Sequence, residues 1–263
     1  MQDILKILVF GDIVGEPGRI AIAQHLPALK AEYKPDLVVA NGENVAGGLG
    51  IEGKTARELR TLGIDIITLG DHTWQRKEIK GFLPDNSSWI IRPQNYPSGA
   101  PGRGWTVWNS AAGVRVGVAN VMGRVFLNIP LDCPFRAMEG LLEGPLAECD
   151  LVIVDMHAEA TSEKIAMGRF LDGKVAAVYG THTHVQTSDQ ALLPKGTAYI
   201  TDLGMCGSID GVIGMDAETA IRRFVSGVNE SYKIGSGRVG VSGIYLELDP
   251  KAKSAIKIER ISR

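Results

Sequence analysis

Short apolar runs and helical patterns alternate along the first part of the chain. Residues 4–10, 37–40 and 64–69 are apolar and rich in β-branched side chains, which predicts three buried strands. Residues 20–29 and 54–62 have apolar positions at helical spacing and lie between those strands. This βαβαβ order predicts a parallel sheet with right-handed crossovers, whose strand ends collect at one edge.

The second half of the chain repeats the strand and helix order and then changes to an antiparallel pattern. Strands are predicted at 105–108, 114–120, 151–154 and 175–179, and helices at 136–142 and 162–170. After them come a hairpin at 191–193 and 198–201, a helix at 216–225, and half-exposed strands at 241–248 and 256–261. Residues 84–101 are rich in Pro, Asn, Ser and Gly, which indicates loops with a short strand at 89–91. The class is therefore α/β with mixed sheets, in one domain of residues 1–263.

The five histidines of the chain are distributed unevenly. His72, His157, His182 and His184 lie in polar segments that follow apolar runs, whereas His25 lies in a helical pattern. His182 and His184 are separated by one residue, so an extended backbone would present both imidazoles to one metal site. A single histidine after a strand is most often a turn or capping residue. Four of them together indicate a metal centre.

Further polar side chains at strand ends complete a set of nitrogen and oxygen ligands. The candidate metal ligands are Asp12, Glu43, Asn44, Asp71, His157, His182 and His184. This set is large enough for two metal ions, since a carboxylate can bridge two cations about 3.5–4 Å apart. Such a pair orients a phosphate and lowers the pKa of a bridging water from about 15.7 toward neutrality. His72 follows a ligand, so it lies near the substrate and could donate a proton to the leaving alkoxide.

Composition and charge narrow the class of protein. A chain of 263 residues with 44% hydrophobic and 22% charged residues is typical of a globular protein. The net charge of -2 gives no reason to expect general nucleic-acid binding. Cys133, Cys149 and Cys206 are odd in number and far apart, which argues against disulfides and favours a reducing compartment. We find no signal-peptide pattern and no apolar span of ~18 residues, and therefore expect a soluble cytoplasmic protein without a membrane segment.

Five short polar motifs stand at the ends of the predicted strands. They are GDIVGEPGR at 11–19, NGEN at 41–44, GDHTW at 70–74, DMHAE at 155–159 and GTHTH at 180–184. Together with TDLGM at 201–205 and IGM at 213–215, they resemble the calcineurin-like metallophosphoesterases, and more narrowly their YmdB-type bacterial branch. The resemblance covers nearly the whole chain. It implies a four-layer αββα sandwich of two mixed β-sheets flanked by helices, and phosphodiesterase activity on cyclic nucleotides of the 2′,3′-cAMP or 3′,5′-cAMP type.

The resemblance also implies a role for each residue of the site. Asp12, Asn44 and His184 would bind one metal, Asp71, His157 and His182 the other, and Glu43 would bridge them. His72 matches the catalytic histidine of the family, and the attacking group would be a hydroxide shared by both metals. Manganese or iron suits the mixed carboxylate, amide and imidazole set better than magnesium, and zinc stays an alternative.

One position departs from the family pattern, because Asp71 stands where the family has an asparagine. Two dications, three carboxylates and a bridging hydroxide form a formally neutral core, whereas two carboxylates would leave one positive charge. We therefore expect a less acidic bridging water and a weaker attraction for anionic substrates than with asparagine. The alternative is that Asp71 binds metal equally well and changes nothing.

Three alternatives to a phosphodiesterase stay open. The segment GLGIEGKT at 48–55 fits the phosphate-binding loop of nucleoside triphosphatases, but residues 41–47 separate it from the preceding strand. A glycine-rich turn into a helix explains it better. A phosphomonoesterase would use the same centre, and a regulatory protein would bind metal and nucleotide with slow turnover. The expected partner is a small nucleotide or phosphodiester; a homo-oligomer is compatible with the sequence, although no heptad pattern indicates an interface.

Overall fold

The structure of the chain, a computed structural model, describes residues 4–231 and 233–263. Within those residues, two β-sheets pack face to face and helices cover their outer faces. The predicted four-layer αββα sandwich of two mixed sheets is therefore confirmed. Most strands are buried on both faces, which explains why the sequence shows them as nearly continuous apolar runs.

The first sheet contains eight strands of the described residues and has β1 near its centre. Its strands are β1 (Leu5–Ile13), β2 (Leu37–Asn41), β3 (Ile66–Thr68), β4 (Ile90–Ile91), β11 (Met205–Ser208), β12 (Val239–Gly240), β13 (Ser242–Asp249) and β14 (Ser254–Ser262). Their order is β12-β11-β1-β2-β3-β4, while β13 pairs with β1 and with β14. β13 runs antiparallel to the earlier part of β1, and β11 runs parallel to its end at Asp12 and Ile13. Asp12 thus lies where β1 changes its neighbour.

The second sheet contains six strands of the described residues. They are β5 (Trp105–Asn109), β6 (Arg115–Met122), β7 (Leu151–His157), β8 (Ala177–Thr181), β9 (Ala191–Leu192) and β10 (Ala198–Ile200). Their order is β5-β6-β7-β8-β10-β9, with β6, β7, β8 and β10 parallel. The predicted hairpin is present as the antiparallel pair of β9 and β10, and the strands predicted at 105–108 and 114–120 form a second antiparallel pair, β5 with β6.

Helices form the outer layers. They are α1 (Gly15–Tyr33), α2 (Gly53–Leu62), α3 (Ile79–Asn86), α4 (Pro134–Glu143), α5 (Thr161–Leu171) and α6 (Ala217–Ser226). The first three pack on the first sheet, and α4 and α5 pack on the second. The prediction of loops from residue 84 is wrong at its start, because burial of Ile79 and Leu83 holds α3 together despite Pro84. None of these helices is long and apolar enough to cross a membrane.

The alternation of side chains along the strands carries polar residues into the interface between the sheets. On β7, Leu151 and Ile153 face the other sheet, so Asp155 and His157 lie on the same face further along the strand. Both polar side chains are fully buried. The predicted end of this strand at residue 154 is wrong, since parallel pairing with β8 continues to His157. The inner face is therefore apolar at one end and polar at the other, where the candidate site lies.

Candidate metal centre

The carboxyl ends of the parallel strands of both sheets meet at one edge and bring the predicted site residues together. Asp12 lies on β1 and His157 on β7, and the others follow β2, β3 and β8. Every predicted ligand and the predicted catalytic histidine contact another member of the group. The residues brought together are Asp12, Glu43, Asn44, Asp71, His72, His157, His182 and His184.

Four side chains form a first cluster, composed of Glu43, Asp71, His157 and His182. Asp71 Oδ1 lies 2.9 Å from His157 Nε2 and 3.1 Å from His182 Nδ1. The two histidine nitrogens are 3.1 Å apart, and Glu43 Oε1 is 3.2 Å from His157 Nε2. Ligands held at right angles by metal bonds of about 2.1 Å are about 3.0 Å apart, so these four atoms fit around one ion. Gly70 makes room for them, because a Cβ there would lie 2.2 Å from His157 Nε2.

The second cluster contains Asp12, Asn44 and His184. Asp12 Oδ1 is buried, has no hydrogen-bond partner, and lies 3.8 Å from His184 Nε2. A buried carboxylate oxygen without a partner is costly, and a cation would satisfy it. The amide nitrogen of Asn44 is 3.2 Å from His184 Nε2, and its oxygen, which has two lone pairs, is the atom that could bind an ion. The donor set of both clusters fits divalent metal ions.

Glu43 lies between the two clusters and is fully buried. Its Oε1 is 3.2 Å from His157 Nε2 in the first cluster and 3.4 Å from Asn44 Nδ2 in the second. Its Oε2 accepts a hydrogen bond from the backbone N–H of His72 at 2.9 Å. This position suits the predicted bridging role, which stays a prediction.

His72 lies beside both clusters with part of its ring accessible. Its Nδ1 is 2.6 Å from Asn44 Oδ1, and an amide oxygen can only accept, so Nδ1 carries a proton. Its Nε2 is 3.4 Å from Asp71 Oδ2, and the side chain is 30% exposed. The imidazole is thus oriented by one nitrogen and lines a cavity with the rest of the site. It can exchange a proton with a molecule bound there.

Buried charges shift pKa values in the first cluster. Burial opposes protonation of His157, but the carboxylates of Glu43 and Asp71 outweigh it and hold the pKa of His157 well above its ordinary value. Burial likewise opposes ionisation of Asp71, but hydrogen bonds from His157 and His182 hold the pKa of Asp71 well below its usual range. The carboxylates therefore create a negative potential that attracts a cation.

The backbone of the two neighbouring histidines differs from the prediction. His182 and His184 have φ angles of 98° and 64°, so the segment is not extended, and the idea that alternation presents both rings to one site is wrong. β8 ends at Thr181, and the left-handed turns that follow send His182 to the first cluster and His184 to the second. Asp12 Oδ2 accepts the N–H of His182 at 3.0 Å and holds the turn in place.

A buried ion pair supports the same loop and was not predicted. Lys164 Nζ lies 2.6 Å from Asp202 Oδ2, and Asp202 also accepts the N–H of Thr183 at 3.2 Å. The lysine crosses β8 at Gly180, where a Cβ would lie 2.7 Å from Lys164 Cδ and 1.8 Å from Thr201 O. Nothing in the sequence distinguishes this lysine from the exposed ones, because it lies in an ordinary helical pattern on α5.

Two of the histidines are oriented through the nitrogen that faces away from the clusters. His184 Nδ1 donates to the carbonyl oxygen of Ile213 at 2.9 Å. His157 Nδ1 is 2.9 Å from Thr181 Oγ1, which donates to Asp155 at 2.7 Å. Such partners fix the tautomer and leave the other nitrogen free for a metal.

Burial raises the pKa of Asp155 to about 6, against the opposing effect of His157. Strand alternation could have identified Asp155, since it precedes His157 by two residues.

A cavity of about 700 Å³ opens over the two clusters. This volume lies within the range of small-molecule sites, about 300–1,000 Å³. Leu49, Ile213 and Met215 form an apolar part of its wall.

The phosphate-binding-loop alternative finds no support, because the start of α2 is already bonded: Glu78 Oε1 accepts the N–H of Gly53 at 3.1 Å.

Comparisons with known proteins agree over the whole chain. The profile of the family described as YmdB-like protein matches residues 8–261. The chain is 46% identical over 257 residues to a 2′,3′-cyclic-nucleotide 2′-phosphodiesterase of Bacillus subtilis, covering 98% of this chain and 96% of that protein. A crystal structure of a hypothetical protein from Thermus thermophilus has a TM-score of 0.91 at 41% identity and covers 98% of this chain and 99% of its own. That of a novel phosphatase from Mycoplasma pneumoniae has a TM-score of 0.93 at 36% identity, with 100% and 94% covered.

Proposed function

The chain belongs to the YmdB-like protein family, and from this premise we propose that it is a metal-dependent phosphodiesterase of cyclic nucleotides or similar small phosphodiesters. The observation that carries the proposal is the convergence of two donor clusters under one cavity. The unpartnered Asp12 Oδ1 and the four ligand atoms of the first cluster, which include that of Asp71, leave two places for a cation. The activity named for the Bacillus subtilis relative supports the choice of substrate class.

The proposed metal content is two divalent ions per chain, with manganese or iron favoured by the mixed donors and zinc as the alternative. Asp71, His157 and His182 would hold one ion, and Glu43 would bridge to the other. The second ion would be held by Asp12, Asn44 and His184. When bound, such a pair polarises the phosphate and makes a shared water acidic enough to supply the nucleophile.

The residues of the chain supply orientation and a proton. The Nδ1 proton of His72 is held by Asn44, so Nε2 is the nitrogen that meets the substrate and, when protonated, gives its proton to the departing alkoxide. The apolar wall formed by Leu49, Ile213 and Met215 suits the ribose and base of a nucleotide. Within the described residues all three cysteines are free, in keeping with the reducing, cytoplasmic location that we propose. Homo-oligomer formation stays a prediction.

The test combines elemental analysis with hydrolysis assays on purified protein supplied with manganese. We expect about two metals per chain and turnover of bis-p-nitrophenyl phosphate and 2′,3′-cAMP. His72→Asn keeps a donor for Asn44 but removes the proton source, so it should retain metal and lose activity by about 10²–10⁴-fold. His25→Asn, on α1, is the matched control and should match the wild type. Absence of metal and of metal-dependent turnover would reject the proposal.

The same assay separates the alternatives. The solved structure described as a novel phosphatase favours a phosphomonoesterase as the second candidate. Faster turnover of p-nitrophenyl phosphate than of its diester would support that candidate. A protein that binds two metals and nucleotide but turns over neither ester would instead be the regulatory protein considered above.

A further inference from the structure

Three histidines belong to the two clusters, namely His157, His182 and His184. His182 has a different kind of partner at its outer nitrogen from the other two. His182 Nδ1 faces the first cluster, 3.1 Å from both Asp71 Oδ1 and His157 Nε2. Its Nε2 lies 3.1 Å from Oε2 of Glu159. We propose that Glu159 is a positioning residue that keeps the proton of His182 on Nε2, so that Nδ1 presents its lone pair to the metal. This inference rests on the metal centre proposed above.

His182 needs such a partner because its surroundings favour both tautomers. Asp71 Oδ1 is close enough to Nδ1 to accept a proton from that nitrogen, which would block it as a ligand. Glu159 competes by accepting the proton on the opposite nitrogen. The backbone of His182 has a φ of 98°, which non-glycine residues rarely adopt, so local conformational preference does not hold this residue in place. Side-chain contacts must do so.

The backbone at Glu159 is held by its chain neighbours. Ala158 and Ala160 on either side are buried, which anchors this short connection between β7 and α5. An isolated ion pair on a surface contributes little, because both side chains must lose freedom to form it. Here the backbone is already fixed, and the ring of His182 is largely buried. The contact therefore costs less entropy than an ordinary surface pair.

The outer partners of the other two histidines are not exposed carboxylates. Thr181 Oγ1 is buried beside His157, and a backbone carbonyl, that of Ile213, accepts from His184. Glu159 is 50% exposed and lines the cavity. It is thus the one partner of the three that can be replaced without disturbing a strand or a buried network, which makes the role accessible to mutation.

The experiment compares Glu159→Ala with Glu159→Gln. The alanine removes the acceptor, whereas the glutamine keeps an acceptor oxygen and loses only the charge. Loss of such an outer partner typically weakens metal binding by about 10–100-fold, so we expect that loss at one of two sites in Glu159→Ala. Glu159→Gln should restore binding close to that of the wild type. Zinc titration with elemental analysis measures both sites.

A spectroscopic readout reports on the ring itself. Nitrogen-15 NMR of the histidine side chains, assigned with His182→Asn, should show Nε2 protonated in the metal-free wild type and in Glu159→Gln. In Glu159→Ala only Asp71 can accept from the ring of His182, so the proton should move to Nδ1. Glu148→Ala is the matched control, since this carboxylate is exposed and pairs with Arg115 near the opposite end of β7. It should leave both readouts unchanged.

Two results would overturn the inference. In one, Glu159→Ala keeps wild-type zinc binding and an unchanged His182 spectrum. In the other, Glu159→Gln loses as much as Glu159→Ala, which would make charge rather than orientation the cause. If the wild type binds no metal, the proposed function fails, but the tautomer comparison in the metal-free protein still decides the inference.

Discussion

Replacing Lys164 with methionine should destabilise the protein strongly, although the lysine touches no predicted ligand. Its ammonium lies 2.6 Å from Asp202, and the two side chains are 1% and 0% exposed. Asp202 in turn accepts the backbone N–H groups of Thr183 and Gly204 at 3.2 and 2.8 Å. The pair therefore anchors the loop between the two histidines that follow β8.

The magnitude follows from what Lys164→Met leaves behind. Methionine fills most of the space taken by the apolar stem of the lysine. The main loss is therefore the positive charge that pairs with the Asp202 carboxylate, which has no access to water. Removing one partner of a buried ion pair costs about 3–5 kcal/mol. Two backbone hydrogen bonds to Asp202 remain, which points to the lower end, about 3 kcal/mol. Native proteins usually have a free energy of unfolding of about 5–15 kcal/mol, so the variant should stay folded after this loss.

The assay is urea unfolding of the metal-free protein, followed by circular dichroism. Lys257→Met is the matched control, because Lys257 pairs with Glu259 at the same 2.6 Å on the surface, where an ion pair contributes little to stability. Adding Asp202→Asn to Lys164→Met should cost less than the two single changes together, by about 1–3 kcal/mol. Equal effects of the two lysine variants, or additive effects within the pair, would refute the reasoning.

Three further predictions concern the site and its surroundings. Asp71→Asn should lower the pH at which phosphodiesterase activity rises, because one fewer carboxylate makes the shared water more acidic; a pH–rate profile with an unchanged or raised acidic limb would contradict this. Gly180→Ala should cost about 3 kcal/mol in urea unfolding or prevent folding, since its Cβ would lie 1.8 Å from Thr201 O; a wild-type midpoint would show that the strand can move. Asp155 should contribute a loss on the order of 3 kcal/mol to the stability of the metal-free protein as pH rises from about 4 to 6, because its pKa is about 6 when folded and about 3.9 when unfolded. The raised pKa of His157 continues the loss above pH ~6.5, and a rise in stability over this range, measured by unfolding at each pH, would be the opposite result.

Much of the fold and of the site could be predicted from residue type and spacing. Buried strands are visible because side chains on a strand alternate, and a run such as 151–154 must be covered on both faces. The sequence predicts the candidate site residues because parallel strands end at one edge, so polar groups after separate strands become neighbours. The roles assigned to them followed from the resemblance, and the structure brings all of these residues into contact.

Other features depended on contacts between distant parts of the chain. His182 donates its backbone N–H to Asp12, 170 residues earlier in the chain. Thr68 donates a hydrogen bond to Asp155 across the interface between the sheets. The left-handed turns at His182 and His184 and the burial of Lys164 are decided by the same packing. Periodicity reports which face of an element is buried, but not which residue of another element it meets. Those partners are chosen only when the two sheets close on each other, because desolvation then requires every buried charge and hydrogen-bonding group to find one.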